Sequence, residues 1–230
     1  MVTIALSGLN QLFPPIASKL HSKDEYEELQ KVFQTVTRWS LTLCLLPAIL
    51  LFTFRFEVLG LFGSEFPRGS AVLSLFVVAQ VIRSSVGPSG YVLMMSNHQY
   101  VVLFNRWFLG ISNVVGNYFM ITRYGFVGAA VASALTLALV NMFRILEIWA
   151  LEGYNPFTRN FLKPIVAVLM VAVSLGLIRS RLLRYVITDI PLLVFGGITG
   201  AIFYIILIYV FGINQIDYEM YHELKDKSRN

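Results

Sequence analysis

Residues Ile111–Ile148 read ISNVVGNYFMITRYGFVGAAVASALTLALVNMFRILEI, with Arg123, Arg144 and Glu147 as their only charges. A hydrocarbon core roughly 30 Å thick is crossed by about 20 helical residues, so this run holds two crossings and leaves no room for a soluble fold. Arg123–Gly125 supplies the turn between them. Val186–Phe211 reads in the same way. Working outward, apolar spans are expected at residues 2–17, 39–54, 70–95, 100–121, 126–149, 162–178 and 186–211. Short polar connections with turn chemistry separate them: Gly63-Ser64 and Pro67, Asn97-His98, and Gly153 to Pro156. The fold class is therefore all-α, a polytopic transmembrane helix bundle of about seven spans.

Composition agrees. Hydrophobic residues make up 57% of the chain and charged ones 13%, against roughly 25% charged in an average soluble domain. The net charge of +5 does not point to nucleic acid, because the basic residues sit mostly at span ends, where they orient helices against anionic headgroups. The lone cysteine, Cys44, falls in a span as a small buried hydrophobe and has no partner for a disulfide or a metal.

Between the first two spans, Phe13-Pro14-Pro15 ends or kinks a helix, and a polar helix follows. Ser22 and Glu25 have the spacing of a capping box, after which Tyr26, Leu29, Phe33 and Val36 recur on one face. With the connection from Lys19 to Arg38 on the cytoplasmic side, that side collects eleven of the 18 Lys and Arg and the other six, Arg83 remaining inside a span. This places the C-terminus in the cytoplasm and the N-terminus outside, an arrangement natural for the second half of a larger bundle. Small residues at Gly196 and Gly200, and at Gly128 and Ala132, permit close helix packing.

Polar residues inside spans carry the functional reading. An arginine facing lipid costs about 2.5–3.5 kcal/mol on insertion scales, so Arg83 must face something polar. Gln80, Arg83, Ser84, Gly87 and Tyr91 share one helical face, and Gly87-Pro88 interrupts the helix just beyond. Arg106, Gly110, Asn113 and Asn117 form a second stripe; Asn141, Arg144 and Glu147 form a third, with Ser133 and Thr136 above it. Stripes on consecutive helices converge on a hydrated interior, and a cavity richer in arginine than in carboxylate suits a phosphate or pyrophosphate. Other readings stand beside this one: Arg83 bonded to carbonyls as a purely structural group, Arg144 and Glu147 as an intrahelical ion pair, and Arg106 as a snorkelling end residue. His21, His98 and His222 are scattered, and no HExxH, GxSxG, P-loop or GxGxxG is present, so neither an enzyme nor a cofactor or metal is expected.

Read in order, Leu12-Phe-Pro-Pro-Ile-Ala-Ser-Lys-Leu, Lys23-Asp-Glu-Tyr-Glu-Glu-Leu, Leu43-Cys-Leu-Leu-Pro-Ala and Val58-Leu-Gly-Leu-Phe-Gly-Ser-Glu-Phe resemble the polysaccharide flippases of the multidrug/oligosaccharidyl-lipid/polysaccharide (MOP) exporter superfamily. Tyr124-Gly-Phe-Val-Gly-Ala-Ala-Val-Ala-Ser-Ala is similar to a span start in that family. The resemblance covers nearly the whole chain and only the C-terminal part of the family's architecture, namely the second lobe and the extra helix pair of 14-span members. It implies residues 1–150 as a partial second transport lobe, 151–212 as an additional helix pair and 213–230 as a polar cytoplasmic tail. The implied function is transmembrane flipping of a polyprenyl-linked oligosaccharide for cell-surface polysaccharide or glycoprotein assembly, as a fragment of a larger transporter in the cell membrane. Its partners are that lipid-linked sugar, membrane lipids and a missing N-terminal lobe. From the stripe geometry Arg83, then Arg106 and Arg144, are expected to hold the phosphate, Asn113, Asn117 and Asn141 to stand on the sugar side, and Gln80 to belong to the same substrate site. The alternatives are a cation-coupled multidrug exporter of the same superfamily, for which Glu147 is the one membrane carboxylate in view, a membrane glycosyltransferase, and a non-transporting half-bundle.

Overall fold

The computed structural model describes residues 13–182 and 189–212, with side chains over 13–180 and 190–211. Most of the first expected span, the Arg184 connection and the tail 213–230 lie outside the described residues.

A short helix, α1, covers residues 13–21. The next, α2, runs from Tyr26 to Thr53. The polar helix and the second span, expected as separate pieces, are thus one helix, because nothing between Lys31 and Trp39 breaks it: Arg38 is buried and its guanidinium stacks over Trp39. The capping box does not form. Ser22 Oγ donates instead to Lys19 O at the end of α1, Asp24 takes a left-handed turn, and Glu25, the residue before α2, makes no side-chain cap.

A short α3 (Arg55–Gly60) and a 3₁₀ turn (Phe66–Gly69) lead to α4 (Ser70–Ser85) and α5 (Ser89–Met95). The break between α4 and α5 falls at Gly87-Pro88, as the sequence requires. Gly87 has φ +59°, and a β-carbon there would collide with Thr37 of α2. Glycine thus serves both the turn and the close approach of this elbow to α2.

The longest element, α6 (Gln99–Glu152), is helical throughout except at Gly125, with φ 58° and ψ −139°. A straight helix would hold Asn105 and Glu147 about 63 Å apart, yet Asn105 Nδ2 donates to Glu147 Oε2 at 2.5 Å. The chain therefore doubles back at Gly125 into an antiparallel hairpin with limbs 99–124 and 126–152. Gly128 lies against the Met120 carbonyl and Ala132 against Gly116, so the small residues expected to pack do so between the limbs. Gly153, left-handed at φ 71°, ends the helix by donating to Trp149 O.

After a second 3₁₀ turn (Arg159–Phe161), α7 (Leu162–Leu182) and α8 (Asp189–Gly212) complete the bundle. Five helical stretches among the described residues are long and apolar enough to cross a bilayer, and the Gly125 reversal makes two passes of one of them.

Helix α2 is the spine. On one side Leu41, Leu45, Val171, Leu175, Leu192 and Leu207 bury one core with α7 and α8, and Tyr204 OH donates to Thr42 O. On the other, Leu29, Phe33 and Val36 join Phe13, Leu93, Val102 and Ile148 in a second core with α1, α5 and α6. Gly196 meets the Phe54 ring and Gly200 sits between Leu50 and Leu175, so the Gly196–Gly200 pair packs α8 into this seam. Outward-facing Trp107, Val114, Tyr118, Val173 and Ile205 are exposed, the apolar belt that lipid covers.

Gly87→Val combines a left-handed φ with a collision against α2. It is expected to cost about 2–4 kcal/mol, read as a lowered midpoint in denaturation from detergent micelles, whereas Gly176→Ala on α7, with nothing within 4 Å of its β-carbon, leaves the midpoint unchanged or raises it.

Candidate cationic cavity

The elbow and the hairpin together line a cavity of about 340 Å³ that is open on one side. Arg83 comes from the last turn of α4, Gly87, Pro88 and Gly90 from the elbow, and Tyr91 and Met94 from α5. Arg106 comes from the outward limb of α6, and Asn141 and Arg144 from the return limb. The reversal at Gly125 is what brings Arg106 and Arg144, 38 positions apart in sequence, to the same wall.

Four of the seven residues singled out from the sequence therefore meet in one place: Arg83, Arg106, Asn141 and Arg144. None of the three arginines makes a hydrogen bond or ion pair with a described residue. Arg83 is not engaged with main-chain carbonyls, and Arg144 does not pair with Glu147, whose partner is Asn105 on the opposite limb. Among the described residues no carboxylate lines the cavity. Three guanidiniums around one space, with no counter-charge among the lining residues, leave donors and positive potential for an anion from outside. Asn141, almost fully buried, uses its Nδ2 on Leu137 O and keeps its carbonyl oxygen as an acceptor.

The other three candidates are placed elsewhere. Asn113 donates to Ser133 Oγ at 3.2 Å and accepts from Asn117 Nδ2 at 2.8 Å, so this amide pair zips the two limbs and stays out of the cavity. Gln80 lies behind Arg83 toward α2: its carbonyl oxygen on the main chain faces Cys44 Sγ at 3.7 Å, and its buried Nε2 has no partner. The stripes located the right helices and missed which neighbour each face meets.

Two polar contacts escaped the sequence reading. Asn105, 1% exposed, holds Glu147. Glu57 in α3, 5% exposed, receives both Nε and Nη2 of Arg179 at 2.8 Å. Glu57 lies in α3, between the long apolar helices, so Glu147, held by Asn105, remains the candidate carboxylate near a span core. The partners lie 42 and 122 residues apart, so no local pattern announces them.

The arrangement is that of a multi-pass, all-helical membrane protein with a cationic cavity. Its particular likeness is to flippases. Over 129 residues the chain is 29% identical to the "Probable low-salt glycan biosynthesis flippase Agl15" of Haloferax volcanii, covering 56% of this chain and 27% of that protein. The fold superposes on "Lipid II flippase MurJ, inward closed conformation" with a TM-score of 0.71 at 11% identity, covering 91% of this chain and 44% of that one. No family model matches. The resemblance to the MOP exporters read from the sequence is borne out, and the chain spans less than half the length of either relative.

Arginines held for a ligand and arginines held for the fold respond differently to removal. Arg83→Met and Arg144→Met are expected to shift stability by no more than about 0.5 kcal/mol. Glu57→Ala, which strands Arg179 part-buried, costs about 1–3 kcal/mol once its partial exposure is allowed for. Thermal midpoints of the three variants in one detergent check the contrast.

Proposed function

We propose that this chain forms one lobe of a transporter that flips a polyprenyl-phosphate- or pyrophosphate-linked oligosaccharide across a cell membrane, for assembly of surface polysaccharide or glycoprotein. The observation that carries the reading is the convergence of Arg83, Arg106 and Arg144, unpaired among the described residues, on one cavity. A guanidinium fork matches a phosphate oxygen pair, and three of them more than offset the negative charge of a lipid-linked phosphate or pyrophosphate. Asn141 and Tyr91, beside them, offer hydrogen bonds to the first sugar. The flippase names of both relatives agree with this cargo. Because the chain covers less than half of each, a second lobe is proposed to close the open side of the cavity.

The cavity lies near one end of the bundle. Arg106 is seven residues into α6 and Arg144 eight from its end, about 10–12 Å in depth. That end also carries the α1–α2 connection, which the charge bias assigns to the cytoplasm. Loading from the cytoplasmic leaflet, with the C-terminus on that side, follows. A cation-coupled drug exporter is disfavoured, since Glu57 and Glu147 are both engaged.

The decisive measurement is leaflet movement of a fluorescent lipid-linked oligosaccharide in vesicles containing the chain, alone and with the flanking or co-encoded partner lobe. Arg83→Ala is expected to reduce the rate tenfold or more, with Arg83→Lys restoring part of it. Equal rates in wild type and both variants overturn the phosphate role.

A further inference from the structure

A second pocket, of about 450 Å³, opens beside the α1–α2 connection and shares no lining residue with the cationic cavity. Four pieces of chain meet there, supplying His21 from α1, Tyr26 from α2, Ser96 and Asn97 from the turn before α6, and Glu152 and Tyr154 from the end of the hairpin. Its charge is opposite to that of the cavity: among the described residues no Lys or Arg lines it, and Glu152 does. His98 Nδ1 lies 3.0 Å from Glu152 Oε1, but the imidazole stands outside the lining, and Oε2 has no partner among the described residues. Asp24 accepts the Tyr26 hydroxyl at 2.8 Å, a second carboxylate beside the rim. Tyr154 is 6% exposed, its ring in the second core, yet its hydroxyl makes no hydrogen bond with a described residue. Burial, and then the charge of Glu152, push that phenol up, so it keeps its proton and presents an oxygen lone pair. His21 stands edge-on to the Tyr26 ring, and its buried Nδ1 is also without a partner.

We infer that this pocket binds an ammonium group, carried by a phospholipid headgroup or by a free amine. The chemistry of the wall selects it. An anion meets the Glu152 carboxylate with no cationic side chain to offset it. A metal ion finds only His21 and Glu152 in the lining, and the described residues hold no group of three His, Cys, Asp or Glu. A neutral polar molecule satisfies the hydroxyl and leaves the charge unanswered. A primary ammonium brings three N–H donors and one positive charge. With His21 neutral, Glu152 Oε2, Tyr154 Oη and His21 Nδ1 offer three acceptors, and the aromatic rings of Tyr26 and Tyr154 favour a cation beside them. Occupancy ties α1 to the foot of the hairpin, eight residues along the return limb from Arg144. The site stands apart from the anion reading of the cavity and does not depend on it.

The test is isothermal titration of the full 230-residue chain in neutral detergent at fixed ionic strength. Probes are ethanolamine, its neutral N-acetyl derivative, and the short-chain lipids dihexanoyl phosphatidylethanolamine and dihexanoyl phosphatidylglycerol. The two ammonium probes are expected to bind, and N-acetylethanolamine and phosphatidylglycerol are not. Glu152→Gln is expected to weaken ammonium binding about tenfold or more and Tyr154→Phe about threefold, whereas His98→Gln, outside the lining, does not weaken it. Thermal midpoints taken alongside separate lost binding from lost folding, and Tyr154→Phe keeps its ring in the core, so it reads the hydroxyl even where Glu152→Gln fails to fold. Phosphatidylethanolamine binding more tightly than ethanolamine assigns the pocket to a lipid headgroup; equal or weaker binding assigns it to free amines. No heat with either ammonium probe, N-acetylethanolamine binding as well as ethanolamine, or ammonium binding undiminished in the folded variants of Glu152 and Tyr154 overturns the inference.

Discussion

Hydrocarbon offers no hydrogen-bonding partner, and almost every feature of this chain answers to that fact. Backbone groups must be satisfied within each helix. Thr37, Thr42 and Thr136 accordingly return their hydroxyls to the carbonyl four residues earlier. Asn113, Asn117 and Ser133 pair with one another, and Asn105 with Glu147. Buried atoms such as Gln80 Nε2 and Ser40 Oγ still lack a partner, and so, among the described residues, do the three arginines around the cavity. In a soluble protein water would supply their hydrogen bonds; at this depth a cavity must supply them, through water or a bound anion.

The two cores on either side of α2 divide the labour. The α7–α8 side is tightly buried, pinned by Tyr204 and by glycines against Phe54 and Leu175, and ends in the Glu57–Arg179 pair. The α5–α6 side carries the elbow, the hairpin and the cavity between them. A tightly packed half thus stands beside a polar half whose cavity is open on one side.

The bundle was legible in the sequence because the solvent dictates it: spans, turns at Gly87-Pro88 and Gly125, and small-residue contacts all follow from apolar run lengths and breakers. The break expected between the polar helix and the second span failed because amphipathic and apolar stretches can share one helix when no breaker intervenes. In the site, charge was more informative than amide. Arg83, Arg106 and Arg144 stood out because hydrocarbon tolerates a guanidinium in few settings, and all three reached the cavity. Asn113, Asn117 and Gln80 shared their faces with those arginines but went elsewhere, because a carboxamide can be satisfied by another amide or turned into a helix interface. Helical periodicity fixes direction from one axis and is silent on which element lies there. The pairings of Asn105 and Glu57 depend wholly on such neighbours.

Gly125 has one consequence beyond the turn itself. A single non-helical residue joins the limbs, so there is no slack between the reversal and the two arginines it brings together, each about 28 Å away along its limb. Adding or deleting one residue on either limb would slide its arginine about 1.5 Å and swing it about 100° around the helix, out of phase with its counterpart. Loop tips are ordinarily where a chain is freest to change length. Here the tip works as the zero mark of a ruler, and chain length at one end of the hairpin fixes where the two arginines meet at the other.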